Sequence, residues 1–147
     1  MASALLVAAR GARNPRWDRE AAGIARRAAS RPTEEAGVVD ATVCHGATGL
    51  AHLFNRMHQS TGDPSLARAA ATWVEKTLEM RTHSDGIAGF AHRLPKPNGE
   101  VEGHPDPGFL TGAAGIALVL LAATTSVEPS WDRLLLASLP LGTAAGT

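Results

Sequence analysis

Residues 43–49 read VCHGATG, and the glycine pair inside them, Gly46-Ala47-Thr48-Gly49, returns as Gly112-Ala113-Ala114-Gly115. Each copy opens an apolar stretch. After the first, Leu50, Leu53, Phe54 and Met57 form one stripe at helical spacing; after the second, Ile116 to Ala123 is apolar on every side and is expected inside a protein. Glycines at such a position let the chain turn sharply and bring a helix start close to another backbone. Both copies therefore predict inner helices that begin at a tight turn.

A second repeat predicts the outer helices. Asn14-Pro15-Arg16-Trp17-Asp18-Arg19 is matched by Glu128-Pro129-Ser130-Trp131-Asp132-Arg133, and more weakly by Asp63-Pro64-Ser65-Leu66. Asn or Asp caps the free amides of a helix start, and proline at the first helical position sacrifices no bond. Trp17, Ala21, Ile24, Ala25 and Ala28 then recur at three- and four-residue steps, as do Leu66, Ala70, Trp73, Val74, Thr77 and Leu78. The pattern is all-α: glycine-led inner helices alternating with proline-capped outer ones, an array of helical hairpins that curls around a centre. Residues 82–107 break the rhythm with Asp85-Gly86, Gly89 and Pro95-Lys96-Pro97-Asn98-Gly99. They read as an insertion between hairpins, with short strands expected at Phe90 to Leu94 and Gly99 to Val101. One domain is expected over 1–139, followed by a flexible tail at 140–147.

Composition excludes several classes of function. The 147 residues carry 14 basic and 14 acidic side chains and no long run of either sign, so there is no electrostatic footprint for nucleic acid. The most hydrophobic stretch, residues 109–123, is shorter than the roughly 20 residues a bilayer span needs and holds two glycines. One cysteine rules out an intramolecular disulfide, which fits a cytoplasmic location.

That cysteine, Cys44, stands next to His45 and has two readings. Thiolate and imidazole are zinc ligands, and a catalytic zinc site takes three from the protein. Neighbours in a regular helix point about 100° apart, so the pair can share an ion only at an irregular helix start, which Gly46 and Gly49 supply. Cys44 can equally be a small apolar residue heading a helix. His52, two turns beyond His45 at roughly 10 Å, is too far to join it. His58 falls near a helix end, where it favours the dipole. His83, His92 and His104 lie in the irregular insertion, from which each can reach a site. A Cys-His nucleophilic pair lacks an orienting third group.

The run Val39 to Leu50, with Asp106-Pro107-Gly108-Phe109-Leu110-Thr111-Gly112-Ala113-Ala114-Gly115-Ile116 and the ending Trp131-Asp132-Arg133-Leu134-Leu135-Leu136, resembles the C-terminal part of the lanthionine synthetase C-like family. That resemblance implies a double ring of inner and outer helices, an α/α toroid, with zinc at the mouth of the inner ring. It further implies lanthipeptide biosynthesis: a cysteine thiol of a precursor peptide adds to dehydroalanine or dehydrobutyrine, the dehydrated residues being supplied by a dehydratase. Cys44 and His45 match the family's adjacent zinc ligands. The family's first ligand cysteine, in a Trp-Cys-x-Gly motif a little under fifty residues earlier, would fall ahead of Met1, and its acid/base residues farther still. Thr111 stands where some relatives carry an acid. The expectation is a C-terminal portion of a zinc-dependent cyclase, inactive alone and exposing apolar inner faces; no catalytic residue is assigned within it. The alternative is a non-catalytic helical module that binds a peptide or a partner. Toroidal glycosidases and terpene cyclases are disfavoured, because the inner helices carry almost none of the carboxylates they need.

Overall fold

Alanine, leucine and arginine are strong helix formers, and in the computed structural model, which describes residues 1–139, they build five α-helices. The tail expected at 140–147 lies outside the described residues. α1 (Ala2–Gly11) turns back into α2 (Pro15–Ala29), and α3 (Ala47–Thr61) into α4 (Pro64–Glu79); α5 (Ala113–Thr124) follows the insertion and packs on α3. α2 and α4 also touch. The glycine-led helices α3 and α5 thus lie side by side on one layer while the proline-capped α2 and α4 form the other, the order expected of an α/α-toroid arc.

The helix starts follow the cap chemistry. Asn14 Oδ1 accepts from the amides of Arg16 and Trp17, and Asp63 Oδ1 from that of Ser65 at 2.9 Å, with Pro15 and Pro64 at the first helical positions. The third proline copy differs: Ser130–Leu135 is a 3₁₀-helix. Its proline follows Glu128, which is not the short Asn or Asp side chain that caps the other two. α3 ends at Gly62, whose φ of 73° closes the turn into α4.

The main core lies between α3 and α4, where Ala47, Ala51, Phe54, Met57, Leu66, Ala70 and Trp73 meet Leu6 of α1 and Ala21 and Ala25 of α2. Complete burial of Leu66 alone is worth about 2 kcal/mol. Not every stripe residue is enclosed. Trp17 is 41% exposed, and Leu121, expected inside, is 52% exposed. α5 is covered on the side of Ile116, Val119 and Ala122 and open on the other.

The insertion holds a hairpin, β1 (His92–Pro95) paired antiparallel with β2 (Val101–His104), His92 opposite His104. The strands start slightly later than the hydrophobic pattern suggests, because Ile87 and Phe90 bond to each other in a tight turn. Among the described residues no helix is long and apolar enough to cross a membrane.

Candidate metal centre

Ahead of each glycine-led helix the chain makes the same loop. The carbonyl of Asp40 accepts from Ala47 N at 2.9 Å, and that of Asp106 accepts from Ala113 N at 2.8 Å. Glycine is required at the close approaches: a Cβ on Gly49 would collide with the Val43 carbonyl, and one on Gly115 with the Phe109 carbonyl. Leu110 O ties the loops together by accepting from Val43 N at 3.1 Å and Cys44 N at 2.9 Å. Cys44 and His45 are therefore held in a turn just before Ala47 begins α3, the irregular start that a shared ion needs.

Both side chains are exposed. Cys44 opens on a pocket of about 210 Å³ lined by His52, Leu53, Leu110, Leu135 and Ala137. His45 points toward Asp40 instead, its Nε2 lying 3.3 Å from Asp40 Oδ2. The carboxylate is 2% exposed. Its Oδ1 accepts from Thr42 N at 3.0 Å and Thr42 Oγ1 at 2.8 Å, while Oδ2 is buried with no hydrogen-bond partner.

From the insertion, His92 comes alongside, its ring centroid 5.9 Å from that of His45. One donor atom from each of Asp40, His45 and His92 lies within 4.8 Å of the other two, a grouping that does not include Cys44. His92 also faces Asp106, whose carboxyl is held below its ordinary range mainly by bonds from Thr111 Oγ1 and Gly108 N, with a smaller effect of His92. Thr111 thus presents its hydroxyl to the Asp106 carboxylate.

The other histidines lie elsewhere. His52 is buried against Asp132 and Trp131, and burial lowers its pKa. His58 Nδ1 donates to the Asp63 carbonyl at 2.9 Å, a turn contact. His83 and His104 are exposed, and His104 pairs with Glu102. Sequence reasoning placed His45 and allowed His92 but passed over Asp40. A signal was present: Asp40 precedes Gly46 by the same six residues that separate Asp106 from Gly112.

The grouping of Asp40, His45 and His92 could hold a metal ion. The buried Asp40 oxygen, without a hydrogen-bond partner and beside an imidazole, suits either a ligand or the carboxylate that fixes a ligand histidine's tautomer. A family model described as lanthionine synthetase C-like protein matches residues 1–136. No curated protein matches the chain.

Proposed function

The chain belongs to the lanthionine synthetase C-like family, and on that premise we propose that it carries part of a zinc-dependent site for adding a peptide thiol to a dehydrated serine or threonine. The observation that supports this is the adjacency of Cys44 and His45, both exposed, in the turn that precedes α3, with the buried Asp40 carboxylate 3.3 Å from His45. In that reading Cys44 and His45 are two of the ligands. When bound, the zinc lowers the pKa of a substrate thiol so that it attacks as thiolate near neutral pH.

The residues in hand do the rest of the work of placement. Asp40 Oδ2 stands 3.3 Å from Nε2 of His45, and a proton kept on Nε2 by that carboxylate would leave Nδ1 as the nitrogen with a lone pair. Leu110 O pins the Cys44 amide and thereby the turn. Cys44 is the chain's one cysteine, so a second protein thiolate has to come from outside these 147 residues, and alone they do not turn over.

The test is complementation in trans. The chain is mixed with the matching N-terminal portion of a lanthionine-forming relative, zinc and a dehydrated peptide bearing one cysteine. Thioether formation removes the alkylatable thiol without changing the peptide's mass. The expected result is cyclisation only in the mixture, lost in Cys44→Ala and in His45→Ala. Cyclisation by the 147 residues alone, no cyclisation in a mixture that co-purifies as a complex, or indifference to both substitutions would overturn the proposal.

A second reading, peptide binding without chemistry, is favoured by one feature: a cleft between α2 and α4 lined by Arg26, Arg27, Arg31 and Arg68. Peptide binding that persists in Cys44→Ala without metal, and is lost when these arginines are replaced, would favour it.

A further inference from the structure

We infer that the cleft between α2 and α4 binds an acidic segment of peptide, whose carboxylates are gripped by Arg27, Arg31 and Arg68. The inference rests on the second reading above only in that the cleft holds peptide; it adds the chemical class of that peptide and is independent of the chemistry at Cys44 and His45.

The cleft gathers charge that the sequence spreads out. Arg26, Arg27 and Arg31 come from the end of α2 and the turn after it, and Arg68 comes from α4. Among the described residues no acidic side chain lines the cleft. Four of the chain's 14 basic side chains thus share one opening, although 14 acidic residues balance them over the whole sequence.

Pairing separates these four. Arg26 is already engaged, its Nη1 3.2 Å from Asp63 Oδ2. The guanidinium groups of Arg27, Arg31 and Arg68 make no hydrogen bond or ion pair among the described residues, and all three side chains are exposed. The helix dipole accounts for Arg27, in the last turn of α2. It gives Arg68 nothing, because that residue stands in the second turn of α4, on the half nearer the positive end. Like charges brought together without a counter-charge repel one another. An anionic ligand removes that repulsion.

The shape and the floor of the cleft decide which anion fits. Its volume of about 540 Å³ is that of a ligand site and suits a short segment better than a folded surface. Ala69 and Trp73, both buried, form an apolar floor. Guanidinium groups around such a floor match a peptide in which carboxylates flank an apolar side chain. Each fork takes a carboxylate through two parallel bonds, and the floor takes the side chain between them. A nucleic acid strand would stack its bases on exposed aromatic faces, whereas Trp73, the aromatic ring of this cleft, is 6% exposed.

The test is fluorescence anisotropy of the intact chain with two labelled peptides of equal length, one alternating glutamate with leucine and one with glutamine at every glutamate. The glutamate peptide should bind about tenfold or more tightly than the glutamine one in dilute buffer, and should weaken severalfold between about 0.05 and 0.5 M salt. Arg31→Gln combined with Arg68→Gln should weaken it about tenfold. Arg16→Gln combined with Arg133→Gln removes the same charge outside the cleft and should stay within about twofold of the parent. All four positions are exposed, so circular dichroism of both variants should match the parent. Equal affinity for the two peptides would overturn the inference and leave the second reading standing, whereas no binding of either peptide by the folded chain would remove both. Equal losses in the two double variants, or tighter binding of a single-stranded oligonucleotide than of the glutamate peptide, would also reject it.

Discussion

His52 on α3 and Asp132 in the C-terminal 3₁₀-helix meet at 3.3 Å between Nε2 and Oδ2, eighty residues apart in the chain and both buried. Arg56, one turn along α3, places Nε 2.9 Å from the same oxygen, and its terminal nitrogens reach Glu128 at 2.7 Å and the Leu139 carbonyl at 3.2 Å. Trp131 lies over His52 and is met edge-on by Phe109. The Trp131-Asp132 motif thus latches the end of the domain to an inner helix.

Removing one partner of a buried ion pair strands the other. Asp132→Ala should therefore destabilise the fold by about 3 kcal/mol or more, read from urea unfolding, whereas exposed Asp85→Ala should cost less than about 0.5 kcal/mol. A loss below about 1 kcal/mol for Asp132→Ala would show that the latch is not structural.

The same latch makes stability depend on pH. Burial lowers the His52 pKa, with Asp132 opposing the effect and Arg56 reinforcing it. Below the ordinary histidine pKa of about 6.5 the unfolded chain takes up a proton that folded His52 still refuses. The contribution of neutral His52 is complete above that value and is lost progressively as pH falls toward the folded pKa. The urea midpoint should drop between about pH 7.5 and 5.5, and His52→Gln should flatten that slope. An unchanged slope in the variant would assign the pH effect to other groups.

Glycines in helices should divide by what surrounds them. Gly23 lies inside α2, where an added Cβ meets only the end of the Arg27 side chain. Gly23→Ala should stabilise by roughly 0.5–1 kcal/mol through helix propensity. Gly115→Ala puts its Cβ into the Phe109 carbonyl and should cost about 2 kcal/mol or more. Thermal unfolding of both variants checks the opposite signs.

The cap of α4 rests on Asp63, whose Oδ1 accepts from Ser65 N at 2.9 Å and Ser65 Oγ at 2.6 Å. Asp63→Ala should cost about 1 kcal/mol. Those bonds to Ser65 lower the Asp63 pKa, so its contribution is present above the unfolded value of about 3.9 and disappears as pH falls through the folded one. The parent and variant should differ at neutral pH and converge in acid. A gap that persists unchanged at about pH 2 would mean that the ionised cap is not its origin.

Much of the fold was legible because its determinants are local. Asn14-Pro15 and Asp63-Pro64 start α2 and α4 through bonds to their own next residues, and a three- to four-residue apolar step is enough to define α3 and α4. Local patterns also misled. Trp17 and Leu78 belong to apolar stripes yet stay exposed, since periodicity names a face without saying how much of it a neighbour covers. At the site, the adjacency of Cys44 and His45 stood out and Asp40 did not. An aspartate near a turn has many ordinary uses, and burial is what makes this one unusual.

By itself the sequence determined the helical hairpins, their caps, the glycine-led starts and the location of a Cys-His pair at one of them, all consequences of backbone preferences and side chains within a few residues. Tertiary structure alone decided which donors meet. It turned His45 toward Asp40, brought His92 and not His83 or His104 to its side, and joined His52 to Asp132. Those choices depend on how the insertion and the C-terminal turn dock against α3. That docking is set by packing between distant segments, for which a single sequence carries no periodic signal.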